Sequence, residues 1–129
     1  RDQLFGGGNA DQLYGGIGAD TLDGGDGADR LDGGNGRDRM TGGNGRDIFT
    51  FNVASGEDTV LDFTDDADTL NISAGFGFAN PAAVVAVTTK SGSDAVITLS
   101  ATDQIVLKGF LARSSGNAIA DLLDDITIF

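Results

Sequence analysis

Single large apolar side chains recur at every ninth position through the first fifty residues: Leu4, Leu13, Leu22, Leu31, Met40 and Phe49. Each stands between two residues of outward character. The stretch around it therefore reads as a three-residue strand with one inward side chain. Such a strand buries nothing alone, but stacked copies do. The pattern predicts a solenoid of two sheets with turns on both edges, two nonapeptides to a coil, each turn lying over the turn two frames away. Beyond residue 50 the period dissolves. Residues 59–63 and 69–72 alternate as strands, each after a turn that ends in Asp, at Asp58 and Asp68. Residues 87–90, 95–99 and 104–107 also read as strands, with the connectors 91–94 and 100–103 suggesting antiparallel hairpins. Asn80-Pro81 suits a helix start, Asn as N-cap and Pro at N1, although Val84, Val85 and Val87 also favour a strand. Residues 117–124 have helical spacing, and 126–129 form an apolar end.

Between the apolar positions lie five uninterrupted frames with Gly-Gly first, Asp sixth and the large apolar residue eighth. Their turns are Gly6-Gly7-Gly8-Asn9 with Asp11, Gly15-Gly16-Ile17-Gly18 with Asp20, and Gly24-Gly25-Asp26-Gly27 with Asp29. Gly33-Gly34-Asn35-Gly36 with Asp38 and Gly42-Gly43-Asn44-Gly45 with Asp47 complete the set. Positions one to six read as a tight turn. A fourth-position Gly suits a positive φ, and Asn9, the one exception, is the next residue to tolerate it. Arg1 to Phe5 is the back half of an earlier frame; with no start methionine and no basic-then-apolar leader, the chain reads as a fragment of a longer protein.

Composition sharpens this picture. The chain carries 21 Gly, one Pro, no Cys and no His, with a formal charge of −12. That charge disfavours nucleic acid as a partner, and no apolar run is long enough to span a membrane as a helix. The absence of His and Cys removes imidazole and thiol chemistry. No nucleophile-and-base constellation is present, so catalysis is expected to belong to a missing N-terminal domain. If alternate frames share an edge, Asp2, Asp20 and Asp38 line one edge and Asp11, Asp29 and Asp47 the other. Stacked like charges repel by about 1 kcal/mol at 4 Å in water, and by more when desolvated. A cation between turns reverses that sign. Carboxylates and the carbonyls of glycine-rich turns are hard, flexible oxygen donors, which select Ca²⁺ over Mg²⁺. Arg30, Arg37, Arg39 and Arg46 read as solvated partners of Asp23, Asp26 and Asp32.

The frames resemble the repeat-in-toxin (RTX) nonapeptide, Gly-Gly-x-Gly-x-Asp-x-(large apolar)-x, across residues 1–50. The resemblance implies an all-β fold: a calcium-bound parallel β-roll over residues 1–50. A β-rich segment over residues 51–129, with one or two short helices, extends and caps it. It also implies several Ca²⁺ ions, each held between a turn and the turn two frames on. The ligands would be the two sixth-position Asp and the backbone carbonyls of the Gly-Gly-x-Gly stretches. Three pairs are complete: turns 6–11 with 24–29, 15–20 with 33–38, and 24–29 with 42–47. Asp2 belongs to a truncated frame, while Asp58 and Asp68 could close sites against turns 33–38 and 42–47. The segment after the repeats is similar to that of serralysin-type proteases.

The function expected from this resemblance is a secreted, extracellular calcium-binding domain. It would fold on Ca²⁺ outside the cell and support type I secretion and folding of a parent protein, with the secretion apparatus and the parent's N-terminal domain as partners. The acid-then-apolar C-terminus resembles a type I secretion signal. The alternative is a module that binds an anionic polysaccharide through the arginines, as in the repeat modules of alginate epimerases.

Overall fold

The computed structural model describes residues 1–64, 67–113, 122 and 124–129. The repeats form eight strands: β1 (Gln3–Gly8), β2 (Gln12–Tyr14), β3 (Ile17–Gly18), β4 (Thr21–Asp26), β5 (Arg30–Asp32), β6 (Asn35–Gly36), β7 (Arg39–Asn44) and β8 (Ile48–Phe51). They are followed by β9 (Glu57–Val60), β10 (Thr69–Ile72), helix α1 (Pro81–Ala86), β11 (Thr88–Ser91), β12 (Asp94–Thr98), β13 (Gln104–Leu107), helix α2 (Phe110–Arg113) and β14 (Ile126–Ile128). The chain winds as a parallel β-solenoid of about 4 turns. One sheet has the order β1-β4-β7-β9-β13-β12-β11, the other β14-β10-β8-β5-β2, and β3 pairs with β6 at one edge.

Register follows the period. Leu4 pairs with Leu22 and Leu22 with Met40 in the first sheet; Leu13 pairs with Leu31 and Leu31 with Phe49 in the second. The eighth-position side chains thus meet between the sheets. Leu22, Leu31, Met40 and Phe49 are wholly buried, each contributing about 1.5–3 kcal/mol through apolar burial. The core continues without a break into the second half. Phe63 lies 6.2 Å from Phe49 and 5.8 Å from Phe110 between ring centroids, joining the repeat coils to the α2 end.

Three expectations change. The repeat strands of the first sheet, β1, β4 and β7, are six residues long, because Gly-Gly-x lies over its equivalent one coil away and keeps pairing: Gly7 with Gly25, Gly25 with Gly43. These residues continue the strand rather than turn. Residues 59–63 do not form one strand, since β9 ends at Val60 and the Asp62 carboxylate takes over, accepting from Gly42 N (2.9 Å) and Gly43 N (2.8 Å). Phe51 completes β8 and is buried, so the turn that ends at Asp58 begins only after it. The Asn80-Pro81 ambiguity resolves as helix α1, with Asn80 Oδ1 accepting from Ala83 N. The hairpins β11–β12 and β12–β13 are antiparallel, and β14 adds in parallel to β10. The expected helix at 117–124 lies largely outside the described residues.

A sixth, degenerate frame emerges over residues 53–61. Gly56 bridges Gly36, Asp58 holds the sixth place, and buried Val60 the eighth. Ala54 stands where Gly34 stands a coil earlier and takes φ +68°. The repeat persists because the coil dictates the backbone, even where the side chain is not glycine.

The second-position glycines Gly25, Gly34 and Gly43 are held by two constraints at once. Gly25 has φ +96°, and a Cβ there would land on the Gly7 carbonyl. Gly8 has neither restriction. Gly25→Ala is expected to cost roughly 2–4 kcal/mol, from left-handed strain plus backbone displacement. Gly8→Ala should stay within about 0.5 kcal/mol. Denaturant unfolding in saturating calcium distinguishes the two; equal stabilities would contradict the stacking geometry.

Candidate metal sites between the turns

The sixth residue of each frame ends a turn and opens a strand, so its backbone is fixed by both. Its carboxylate folds back along the coil axis. One edge carries Asp2, Asp20, Asp38 and Asp58. Each amide N–H donates to the next carboxylate's Oδ1: Asp2 to Asp20 (2.6 Å), Asp20 to Asp38 (2.7 Å) and Asp38 to Asp58 (3.0 Å). The opposite edge repeats this with Asp11 to Asp29 (2.7 Å), Asp29 to Asp47 (2.9 Å) and Asp47 to Asp68 (2.9 Å). The spacing grows from 18 residues to 20 and then 21 as the frames degenerate, and the side-chain step survives.

The other carboxylate oxygen is the informative one. Oδ2 of Asp11, Asp20, Asp29, Asp38 and Asp47 is buried without a hydrogen-bond partner. Each such acceptor costs about 1–3 kcal/mol, and more when charged. First-position glycines face these oxygens. A Cβ on Gly6 would lie 2.9 Å from Asp11 Oδ2 and 2.5 Å from the Gly24 carbonyl oxygen. On Gly15 it would meet Asp20 Oδ2 at 3.0 Å and Gly33 O at 2.5 Å; on Gly24, Asp29 Oδ2 at 2.5 Å and Gly42 O at 2.6 Å. Three turn pairs therefore bring an unpartnered carboxylate oxygen and a main-chain carbonyl around a space that glycine keeps free. Around Gly33 and Gly42 the nearest atoms come from Asp38 and Asp47 alone.

Among the described residues no three His, Cys, Asp or Glu side chains converge on one point. A cation between these turns would have to take main-chain carbonyls together with carboxylates. That donor set suits Ca²⁺.

Two further acids, Asp103 and Asp62, emerge only from the structure, and Asp68, already expected, is the last rung of its ladder. Asp103 Oδ1 accepts from Gly56 N (2.9 Å), while its Oδ2 takes the Ser100 and Thr102 hydroxyls. Asp68 Oδ2 accepts from Thr64 N (2.8 Å). Asp62 caps the Gly42-Gly43 part of β7 beyond the end of β9, as described above. The Ser-x-Thr-Asp string at 100–103 is a side-chain-capped turn, and that is the signal by which Asp103 could have been found.

Electrostatics separates these groups. Burial raises the carboxyls of Asp38, Asp47 and Asp68, with neighbouring acids adding to it. Asp58 is pushed up to about 7, first by burial, then by the charges of Asp38 and Asp103. At Asp103 burial acts in the same direction, but the hydrogen bonds from Ser100, Gly56 and Thr102 outweigh it and the carboxyl is lowered.

The arginines do not pair as expected. Arg37 meets Glu57 rather than Asp23, Asp26 or Asp32, and Arg46 Nε donates to the Ala67 carbonyl. Asp26 and Asp32 instead accept from Asn44 and Asn52. Arg30 and Arg39 sit in different sheets. Arg37 and Arg39 do share a cleft with Asp38, Glu57, Asp58 and Thr59.

This architecture has known relatives. The model of the RTX calcium-binding nonapeptide repeat matches residues 1–22, 14–49 and 23–60. The R2 module of the Azotobacter vinelandii mannuronan C5-epimerase AlgE6 is 32% identical, with 97% of this chain and 91% of that one covered and a TM-score of 0.61. The R3 module of the same enzyme is 27% identical, covering 98% and 78%, with a TM-score of 0.68. The Serratia marcescens extracellular lipase LipA shares the fold at 22% identity and a TM-score of 0.59; the chain spans 96% of itself but 20% of that lipase. No curated protein sequence matches. The chain belongs to the RTX calcium-binding repeat family. RTX repeats bind calcium and are typical of secreted proteins. Such a repeat domain is a calcium-binding module, not catalytic by itself, and among the described residues no helix is long and apolar enough to cross a membrane.

The raised carboxyls set a pH dependence. A carboxyl raised in the folded state favours folding while protonated. Its contribution is full below its ordinary value and is lost as pH rises through the raised one, about 7 for Asp58. Calcium needs the ionised form, so in its presence the slope reverses. In chelator the folded fraction should fall between about pH 4 and about pH 8, whereas in millimolar calcium it should rise or hold. Circular dichroism across both series checks this; parallel slopes would contradict it.

Proposed function

We propose that this chain is a calcium-driven folding module of a secreted protein. Calcium ions sit between turns 6–11 and 24–29, 15–20 and 33–38, and 24–29 and 42–47. The observation that carries this is the double column of buried, unpartnered Oδ2 atoms beside glycine carbonyls. Asp58 and Asp68 hold backbone amides and close the outer sites, and Asp2 closes one against Asp20.

Without metal, desolvated like charges and the entropy of the glycine turns oppose folding. In a calcium-poor cytoplasm the chain stays unfolded and can pass through a type I secretion apparatus. At extracellular calcium the metal-binding energy becomes folding energy, and the ordered roll supports the folding of the parent's N-terminal domain, where any catalysis resides. The family membership and its association with secreted proteins support this reading.

Far-UV circular dichroism should change from disordered to β on adding millimolar calcium to chelated protein. Asp29 takes part in two of the three sites, so Asp29→Asn should raise the calcium midpoint roughly tenfold or more. Outward-facing Asp23→Asn should leave it nearly unchanged. Identical spectra in chelator and in calcium would overturn the proposal.

The likeness to epimerase modules also favours a second reading, a site for an anionic polysaccharide. Arg37 and Arg39 share a cleft, and this reading places the site on that face. Titration with mannuronan oligosaccharides in calcium buffer should perturb the Arg39 and Thr59 amides; shifts at neither would remove this reading.

A further inference from the structure

Asn-Gly occurs twice in the chain, at Asn35-Gly36 and Asn44-Gly45, each time at the third and fourth positions of a frame. The dipeptide carries a reaction of its own. The glycine amide nitrogen attacks the carbonyl carbon of the asparagine side chain, and glycine, with no Cβ, leaves the approach unhindered. The amide proton departs with the side-chain NH₂ as ammonia, and a succinimide ring closes. Water then opens the ring at either carbonyl. Opening at the side-chain carbonyl gives aspartate; opening at the main-chain carbonyl gives isoaspartate. Solvent hydroxide supplies the base. The nucleophile is a backbone amide, so its rate depends on how firmly the fold holds that amide.

The solenoid treats the two pairs differently. Asn35-Gly36 forms β6 and lies between coils. It pairs with Ile17-Gly18 on one side. On the other, Gly36 bridges Gly56 and its amide donates to the Ser55 carbonyl at 2.7 Å. Asn44-Gly45 is held from one side. Asn44 ends β7 opposite Asp26 of β4, and its carbonyl accepts from Gly27 N at 2.8 Å. Beyond β7, β9 pairs with Arg39 and Met40 and goes no further, and Asp62 takes the Gly42 and Gly43 amides. Among the described residues no acceptor takes the Gly45 amide. Asn44 and Gly45 are both exposed, whereas Gly36 is half-buried. The Asn44 side chain is tied by an exposed bond from Nδ2 to Asp26 Oδ1 (2.8 Å).

We propose that Asn44-Gly45 is a self-modification site of the folded roll, where turn 42–47 deamidates while turn 33–38 is protected. The two products differ in consequence. Aspartate at position 44 puts an acid where turn 24–29 already carries Asp26, so the frame accommodates it. Isoaspartate routes the main chain through the side-chain carbons and adds a CH₂ between Gly43 and Gly45. The oxygen to which Gly27 donates then sits on a branch, and Gly45 and Asp47 lose register with Gly27 and Asp29. On the calcium reading above, on which this consequence rests, isoaspartate weakens the site between turns 24–29 and 42–47. It spares the site between turns 15–20 and 33–38.

Peptide mapping by mass spectrometry follows both positions as the chain ages in calcium at mildly alkaline pH. Asn44 should convert about tenfold or more faster than Asn35, with isoaspartate among its products. Asn44→Gln keeps the donor to Asp26 but closes its larger ring far more slowly. It should remove conversion in turn 42–47 and leave the rate at Asn35 unchanged. Equal rates at the two positions, or faster conversion at Asn35, would overturn the proposal. So would a calcium midpoint unchanged in the fraction carrying isoaspartate at position 44. A chain whose circular dichroism ignores calcium refutes the folding reading instead and leaves the comparison of rates intact.

Discussion

The buried carboxylates of Asp20, Asp29, Asp38 and Asp47 each satisfy one oxygen with a backbone amide from the previous coil and leave the other without a partner. Geometry of this kind is a constraint on everything around it. The first oxygen fixes the rise from coil to coil, since an Asp amide and the next Asp Oδ1 must meet at hydrogen-bond distance on both edges. The second requires an opposite charge, and the surrounding turn supplies only oxygen donors. A protein built this way couples its secondary structure to the availability of a hard cation. Apolar packing adds to the coil but cannot by itself offset two columns of desolvated acid.

Glycine serves this arrangement at two different points of the turn. The first-position glycines Gly6, Gly15 and Gly24 keep open the space between a carboxylate and a carbonyl, while the second-position glycines Gly25, Gly34 and Gly43 accept both a positive φ and the close approach of the neighbouring coil. The second half of the chain shows what happens as that chemistry fades. Ala54 adopts the turn without being glycine. Asp68, the last rung of one ladder, and Asp103, which holds the Gly56 amide beyond the other, obtain donors from their own turns. The closing strands and helices are then held by ordinary core packing around Phe63 and Phe110.

Most of the fold was legible because one number, the nine-residue period, fixes register for both the apolar and the acidic positions. Leu22 over Met40, and Asp29 over Asp47, follow from it directly. The antiparallel hairpins and the Pro81 helix start were legible from turn and cap chemistry. The length of the first-sheet strands was not, because Gly-Gly-x has poor strand propensity and pairs only through stacking on its equivalents. The frame at 53–61 was hidden by the insertion of Phe51 and Asn52 and by Ala54 in a glycine position, although Asp58 and Val60 kept their spacing. Asp62 and Asp103 act on backbone amides distant in sequence, at Gly42 and Gly56, and no local pattern announces such a partner. The arginine pairings failed for a simpler reason: exposed pairs are weakly determined, and position in the coil placed Glu57 nearer to Arg37 than any of the acids first considered.

Locating calcium in the metal-loaded protein by anomalous scattering tests the central claim most directly. Ions are expected about 2.3–2.6 Å from Oδ2 of Asp11, Asp20 and Asp29 and from the carbonyls of Gly24, Gly33 and Gly42. Calcium found only on the outward carboxylates of Asp23, Asp26 and Asp32, with the inward oxygens metal-free, would contradict it.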